Sequence, residues 1–122
     1  MDPWLNGYDK KDAASSSDMA AAEAEFDRRL GENPQMRKFK GTLAEFAGAG
    51  LAPRPDFVYV DACHQYEGVK SDLGLVLERL RPSLAVCGHD YVDGWPGVKK
   101  AVDELLGKPD AVFEDGSWAK LL

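Results

Sequence analysis

Two apolar runs, each ending abruptly in clustered Asp and His, constrain the fold of this chain most. Phe57-Val58-Tyr59-Val60 runs into Asp61, with His64 three residues on. Leu84-Ala85-Val86-Cys87 runs into Gly88-His89-Asp90-Tyr91. Between them, Gln65 to Leu80 carries Tyr66, Val69, Leu73, Val76, Leu77 and Leu80 at helical spacing, which predicts one amphipathic helix. Strand, helix, strand is a right-handed crossover between parallel strands. The carboxyl ends of such strands open on one edge, where open α/β sheets bind ligands. The two histidines of the chain, His64 and His89, are both placed there.

The flanks read less strongly. Residues 1–17 are polar and irregular, with turn signals at Asn6-Gly7 and Ser15-Ser16-Ser17. Asp18 is the expected N-cap of a helix over Met19 to Leu30, with Met19, Ala22, Phe26 and Leu30 on one side. Met36 to Lys40 reads as a short strand. Thr42 and Glu45 form a capping-box pattern opening a helix through about Ala49. Pro53-Arg54-Pro55 breaks the chain before the first strong strand. Trp95-Pro96-Gly97 leads into a helix over Val98 to Leu106 that ends at Gly107. Ala111 to Phe113 and Trp118 to Leu122, split by Asp115-Gly116, predict a closing hairpin, with Trp118 in the core.

At 122 residues the chain is one domain at most, with its strand–helix–strand–helix core at residues 56–106. A net charge of -6 argues against nucleic acid and acidic membranes as partners, because phosphate binding needs a basic face. No apolar run approaches the roughly 20 residues of a membrane span. No signal peptide is visible at Met1-Asp2-Pro3-Trp4. Cys63 and Cys87 match no metal or disulfide framework and read as reduced thiols of a cytoplasmic protein. Cys63 reads as a small filler residue before it reads as a nucleophile.

Adjacent strands lie about 4.8 Å apart, so an Asp ending one strand and a His-Asp pair ending its neighbour can meet. Asp61, His89 and Asp90 suit a divalent cation, their oxygens favouring magnesium, calcium or manganese and the imidazole a transition metal. His64 or His89 could instead serve as a general base near neutral pH. Plainer roles stand beside these: Asp61 as a helix cap, His64 as a partner of local backbone, Tyr66 packed on the sheet. Tyr91 and Trp95 either wall a substrate or cover the core edge.

Asp56 to Val69, Asp72, Gly88-His89-Asp90-Tyr91, Pro96-Gly97-Val98 and Ala101-Val102-Asp103 together resemble the C-terminal half of class I S-adenosylmethionine-dependent methyltransferases. The branch they resemble includes the macrocin-type O-methyltransferases. Met1 to Trp4 resembles the end of that family's second strand, and Gly41-Thr42 the segment after its third. The resemblance implies an α/β fold: a partial Rossmann-like sheet of parallel strands with crossover helices and a C-terminal antiparallel hairpin. It implies S-adenosylmethionine as cofactor, touched by Asp2 and Asp61, and a divalent cation, Mg2+, held by Asp61, His89 and Asp90. Asp61 and His64 become the catalytic pair, and Tyr91 and Trp95 face a small-molecule methyl acceptor.

The family's first strand and glycine-rich loop have no counterpart in these residues. The expectation is therefore a truncated domain completed by an N-terminal half or by a second copy. Two other readings stay open: a non-catalytic remnant acting as an oligomeric module, and a metal-dependent hydrolase using Asp61, His64, His89 and Asp90.

Overall fold

The computed structural model describes residues 1–11, 13, 17–50 and 54–122. Ser15, Ser16 and Pro53, read as turn and break signals, lie outside the described residues. The elements run α1 (Met19–Gly31), α2 (Leu43–Gly48), β1 (Phe57–Val60), α3 (Tyr66–Leu75), β2 (Ala85–Gly88), α4 (Pro96–Leu106), β3 (Ala111–Val112) and β4 (Trp118–Leu121). They form an α/β fold on a four-stranded sheet of order β1-β2-β4-β3. β1 and β2 are parallel, and β4 pairs antiparallel with both β2 and β3. Among the described residues no helix is long and apolar enough to cross a membrane.

The crossover is the expected one, and its register places the chemistry. Phe57 pairs with Ala85 and Val60 with Gly88, so the segments that follow, Asp61 onward and His89 onward, leave the sheet side by side. Gly88 is required at this point. A Cβ there would lie 2.5 Å from the Val60 carbonyl oxygen and 2.8 Å from the Trp118 ring. Trp118, 2% exposed, pairs across the strand with Gly88 and fills that space.

One face of the sheet is covered. Val69 and Leu73 of α3 and Val98, Ala101 and Val102 of α4 pack with Val86 and Trp118 as the core. The other face is open: Phe57 and Tyr59 of β1 are 63% and 49% exposed, and Leu121 of β4 is 67% exposed. The outer edge of β1 is also unpaired among the described residues. Its neighbour β2 takes up Asp56 and Val60 carbonyls, so by strand alternation the amide groups of Phe57 and Tyr59 point the other way.

Four expectations change. The helix over Gln65 to Leu80 is α-helical only to Leu75, and Val76–Leu80 widens into a π turn closed by Arg81 N–H donating to the Val76 carbonyl. Pro82 disfavours the α conformation for the residue before it, and Arg81 leaves in the left-handed region (φ 49°). The Arg54 side chain then donates to its carbonyl. The strand over Met36 to Lys40 reduces to one parallel bridge between Asp2 and Lys40. The charges decide this: Lys38 bonds Glu23 and Asp27, and Lys40 bonds Glu23, all at 2.7 Å, tying the segment to α1. On α1 itself the half-buried stripe is Met19, Glu23, Phe26 and Leu30, because those ion pairs draw in Glu23 in place of Ala22. Finally, β2 starts at Ala85 rather than Leu84, which is 62% exposed.

The local punctuation holds. Asp18 accepts from Ala21 N–H, the Thr42–Glu45 capping box closes in both directions, and Pro96 opens α4.

Candidate active site

The site lies at the carboxyl ends of β1 and β2. Asp61 follows β1 directly, and His64 closes the loop before α3. Asp90 follows β2 with a positive φ of 63°, a conformation that is uncommon for a side chain larger than glycine. Its cost, of order 1–3 kcal/mol, is the sort retained where a group must be aimed. Here it aims the carboxylate at His64, whose Nε2 lies 2.7 Å from Asp90 Oδ2. One ligand atom each from Asp61, His64 and Asp90 falls within 4.8 Å of the others. His89 reaches the same carboxylate from the solvent side, Nδ1 to Asp90 Oδ2 at 3.2 Å. Burial acts to lower the His89 pKa, but Asp90, Asp61 and Asp115 outweigh it and raise the value.

A residue the sequence reading did not single out completes the arrangement. Asp9 is 4% exposed and is the only buried charged residue among those described. Its Oδ2 accepts from the His64 backbone N–H at 2.8 Å and faces His64 Nδ1 at 2.9 Å. Its Oδ1 accepts from Lys11 N–H at 3.0 Å. His64 is thus bracketed, Asp9 on one ring nitrogen and Asp90 on the other. Its ring also stacks on Trp95, with centroids 4.2 Å apart and planes 20° apart. Gly97 allows this approach: a Cβ there would sit 2.7 Å from the His64 carbonyl oxygen. No motif in Tyr8-Asp9-Lys10 signals the role, because the contact spans 55 residues of sequence.

Burial acts to raise the Asp9 pKa. The backbone N–H groups of His64 and Lys11 and the His64 ring overcome it and hold the carboxyl at about 2, below the ordinary 3.8. A depressed carboxylate stabilises the fold above its ordinary pKa and loses that contribution as pH falls toward the folded value. The difference is about 2 kcal/mol. Urea unfolding of the wild type and Asp9→Asn should therefore differ at pH 5 and converge as the pH approaches 2.

These groups open on a cavity of about 630 Å³ between the β1 edge and the Asp2–Lys40 bridge. Asp2, Asp9, Asp61, Asp72 and Asp90 line it, with no Lys or Arg among the described lining residues. Asp2 is brought to this wall, one oxygen accepting from Trp4 N–H at 2.6 Å. Burial raises the pKa of Asp72. Trp95 lines the cavity, and Tyr91 does not. The Tyr91 hydroxyl bonds Asp103 of α4 at 2.7 Å and its ring packs against the core. Tyr66 likewise serves the α3–α4 contact, its hydroxyl donating to Glu104. Asp61 does not cap α3, whose N-cap is Gln65 without a side-chain bond. Burial pushes the Cys63 thiol up, and its sulfur packs against Gly68, as befits a filler.

The donor set of Asp61, His64 and Asp90, two carboxylates and an imidazole, fits a divalent cation in chemistry, and its ligand atoms lie within 4.8 Å of one another. His89, expected in this set from the sequence, stands outside the group and reaches Asp90 at 3.2 Å. The same five carboxylates and the apolar wall suit a ligand carrying positive charge on an apolar frame.

Residues 2–91 match the family described as Methyltransferase domain. No curated protein and no solved structure matches the chain. The matched segment runs from Asp2 through the whole β1–α3–β2 crossover to Tyr91, so it contains the Asp and His groups of the cavity, with Trp95 just beyond it. The chain belongs to the methyltransferase-domain family.

Proposed function

We propose that the chain is the catalytic side of an S-adenosylmethionine-dependent O-methyltransferase, of the macrocin-type branch, acting on a small-molecule hydroxyl in the cytoplasm. The observation that carries this reading is the placement of His64. It stands at the ends of two parallel strands, held by Asp9 and Trp95, and it lines a large acidic cavity. S-adenosylmethionine supplies an electrophilic methyl group on a positively charged sulfur, and Asp2 and Asp61 would hold it. A divalent cation, Mg2+, lowers the pKa of a bound hydroxyl; Asp61, His89 and Asp90 would hold it, with His64 as the neighbouring nitrogen.

The chain's own residues then do three things. His64 takes the proton of the acceptor hydroxyl, a contribution of about 10²- to 10⁴-fold for a well-placed base. Asp61 and Asp90 fix the hydroxyl beside it, which supplies the orientation an in-line displacement needs. Trp95 closes one side of the cavity, and Tyr91 braces the loop that carries Asp90.

An N-terminal half carrying a glycine-rich strand-to-helix turn completes the fold in this reading. The support is the unpaired β1 edge and the open apolar face with Phe57 and Tyr59, since parallel sheets are ordinarily covered on both faces. Calorimetric titration with S-adenosylmethionine tests it. The chain extended upstream by such a strand and helix should bind, and Asp2→Ala should weaken binding. A folded extended chain that fails to bind refutes the reading.

The same open face favours a second reading, an oligomeric module without catalysis. Light scattering that finds a folded monomer would remove its support.

A further inference from the structure

Of the carboxylates that line the cavity, all but one are engaged. Asp9 accepts from the His64 and Lys11 N–H groups, and Asp90 faces both histidine rings. Asp2 accepts from Trp4 N–H, and Asp61 belongs to the donor set for a cation. Asp72 is the exception. It sits half-buried on α3 at the cavity wall, and its carboxylate takes no hydrogen bond from a described residue. Burial raises its pKa with no cation to oppose it. Charges removed from water are ordinarily paired. Asp72 is also among the residues that carry the family resemblance, yet the reaction as proposed above gives it no task.

Tyr8 lines the same cavity. Burial first, and then the charge of Asp72, raise the pKa of its phenol, so the ring stays neutral. The face of such a ring attracts cations. We propose that Tyr8 and Asp72 form a subsite for an organic ammonium group, and that the methyl acceptor is an amine-bearing alcohol or phenol. The inference rests on the reading of the cavity as the place where the acceptor binds. An ammonium brings the charge and the N–H donors that Asp72 does not find in the protein. Leu5, Met19, Leu43 and Val58 supply apolar wall for the frame that carries it. Asp72 stands outside the group of Asp61, His64 and Asp90, so the amine and the reacting hydroxyl occupy different parts of one cavity. The same lining rejects an anionic acceptor, which would meet carboxylates and no Lys or Arg among the described lining residues.

The test is titration of the full chain, followed by ligand NMR, with tyramine, tyrosol and para-hydroxyphenylacetate. The three share one phenol frame and end in an amine, an alcohol and a carboxylate. Tyramine should bind about tenfold more tightly than tyrosol, or better, and the carboxylate should not bind. Asp72→Asn and Tyr8→Leu should each bring tyramine toward tyrosol. Glu114→Gln removes the same charge from an exposed position outside the cavity and should leave the preference as it is. A wild type that does not bind tyramine, or binds tyrosol as well, overturns the proposal whether or not the variants fold. A preference that survives in folded Asp72→Asn also overturns it. S-adenosylmethionine carries an ammonium of its own. Displacement of tyramine by excess S-adenosylmethionine would assign the subsite to the cofactor and overturn the acceptor's claim to it; tyramine that stays bound supports that claim. Cofactor binding by the extended chain is a separate measurement. Failure there removes the methyltransferase reading, whereas loss of the tyramine preference removes only the ammonium subsite.

Discussion

Trp118→Ala should lower the stability of the protein by about 3–5 kcal/mol. Urea or thermal unfolding followed by circular dichroism measures it. Domains of this size have about 5–15 kcal/mol in total, so the variant should be close to unfolded at body temperature. Three separate losses make the effect large. The ring is 2% exposed and is the largest of the fully buried side chains, packed with Val86 of β2 and with α3 and α4. It covers Gly88, where no side chain can substitute for it: any Cβ at that position meets the Val60 carbonyl at 2.5 Å. Its indole N–H donates to the His89 carbonyl at 3.2 Å, which steadies the loop carrying Asp90. Trp118→Phe separates the last loss from the first two. It keeps most of the packing and removes the hydrogen bond, for which about 0.5–1.5 kcal/mol is expected. If Trp118→Ala were instead nearly neutral, the β2–β4 pairing could not be what holds the end of β2 in place.

How much of this was legible in the sequence depends on the range of the interaction responsible. Where the cause is local, the reading holds. The capping box of Thr42 and Glu45, the Asp18 cap, Pro96 at the start of α4 and Gly107 at its end are all set within four residues. The β1–α3–β2 crossover was legible because its strands are short apolar runs and its helix a clean stripe. That Asp61 and Asp90 come close follows from that crossover alone; the imidazole that joins them within 4.8 Å is His64, whereas the sequence pointed to His89. Where the cause is distant, the reading fails. Met36 to Lys40 has the length of a strand, but Lys38 and Lys40 are claimed by acids of α1 up to 17 residues away. The end of the long helix had a local signal, Pro82, which marks the stop but does not say that the last turn widens. Asp9 was out of reach, since an aspartate in a polar segment gives no sign that the fold will bury it against a histidine. Tyr91 shows the opposite error: its neighbours in sequence belong to the site, while its side chain belongs to α4.

His64→Asn should reduce methyl transfer by about 10²- to 10⁴-fold while leaving S-adenosylmethionine binding and the fold in place. The choice of asparagine follows from the surroundings of the ring. Alanine would leave the buried Asp9 carboxylate without its ring partner, at a cost of about 1–3 kcal/mol, and lost activity could then reflect lost structure. An asparagine amide can donate to Asp9 in the place of Nδ1, and the backbone bond from residue 64 to Asp9 is unaffected. What asparagine cannot do is accept and hold a proton near neutral pH. Formation of S-adenosylhomocysteine by the extended chain, with sugar and phenol hydroxyls as acceptors, measures the rate; calorimetry measures the cofactor. A fall in rate with unchanged binding assigns His64 to proton transfer. Equal rates in the two proteins would show that Asp61, Asp90 and a cation suffice to ionise the hydroxyl. The bracket of Asp9, Trp95 and Asp90 around His64 would then be a structural joint between the amino-terminal segment and the sheet, and the reaction would have no need of a base on this chain.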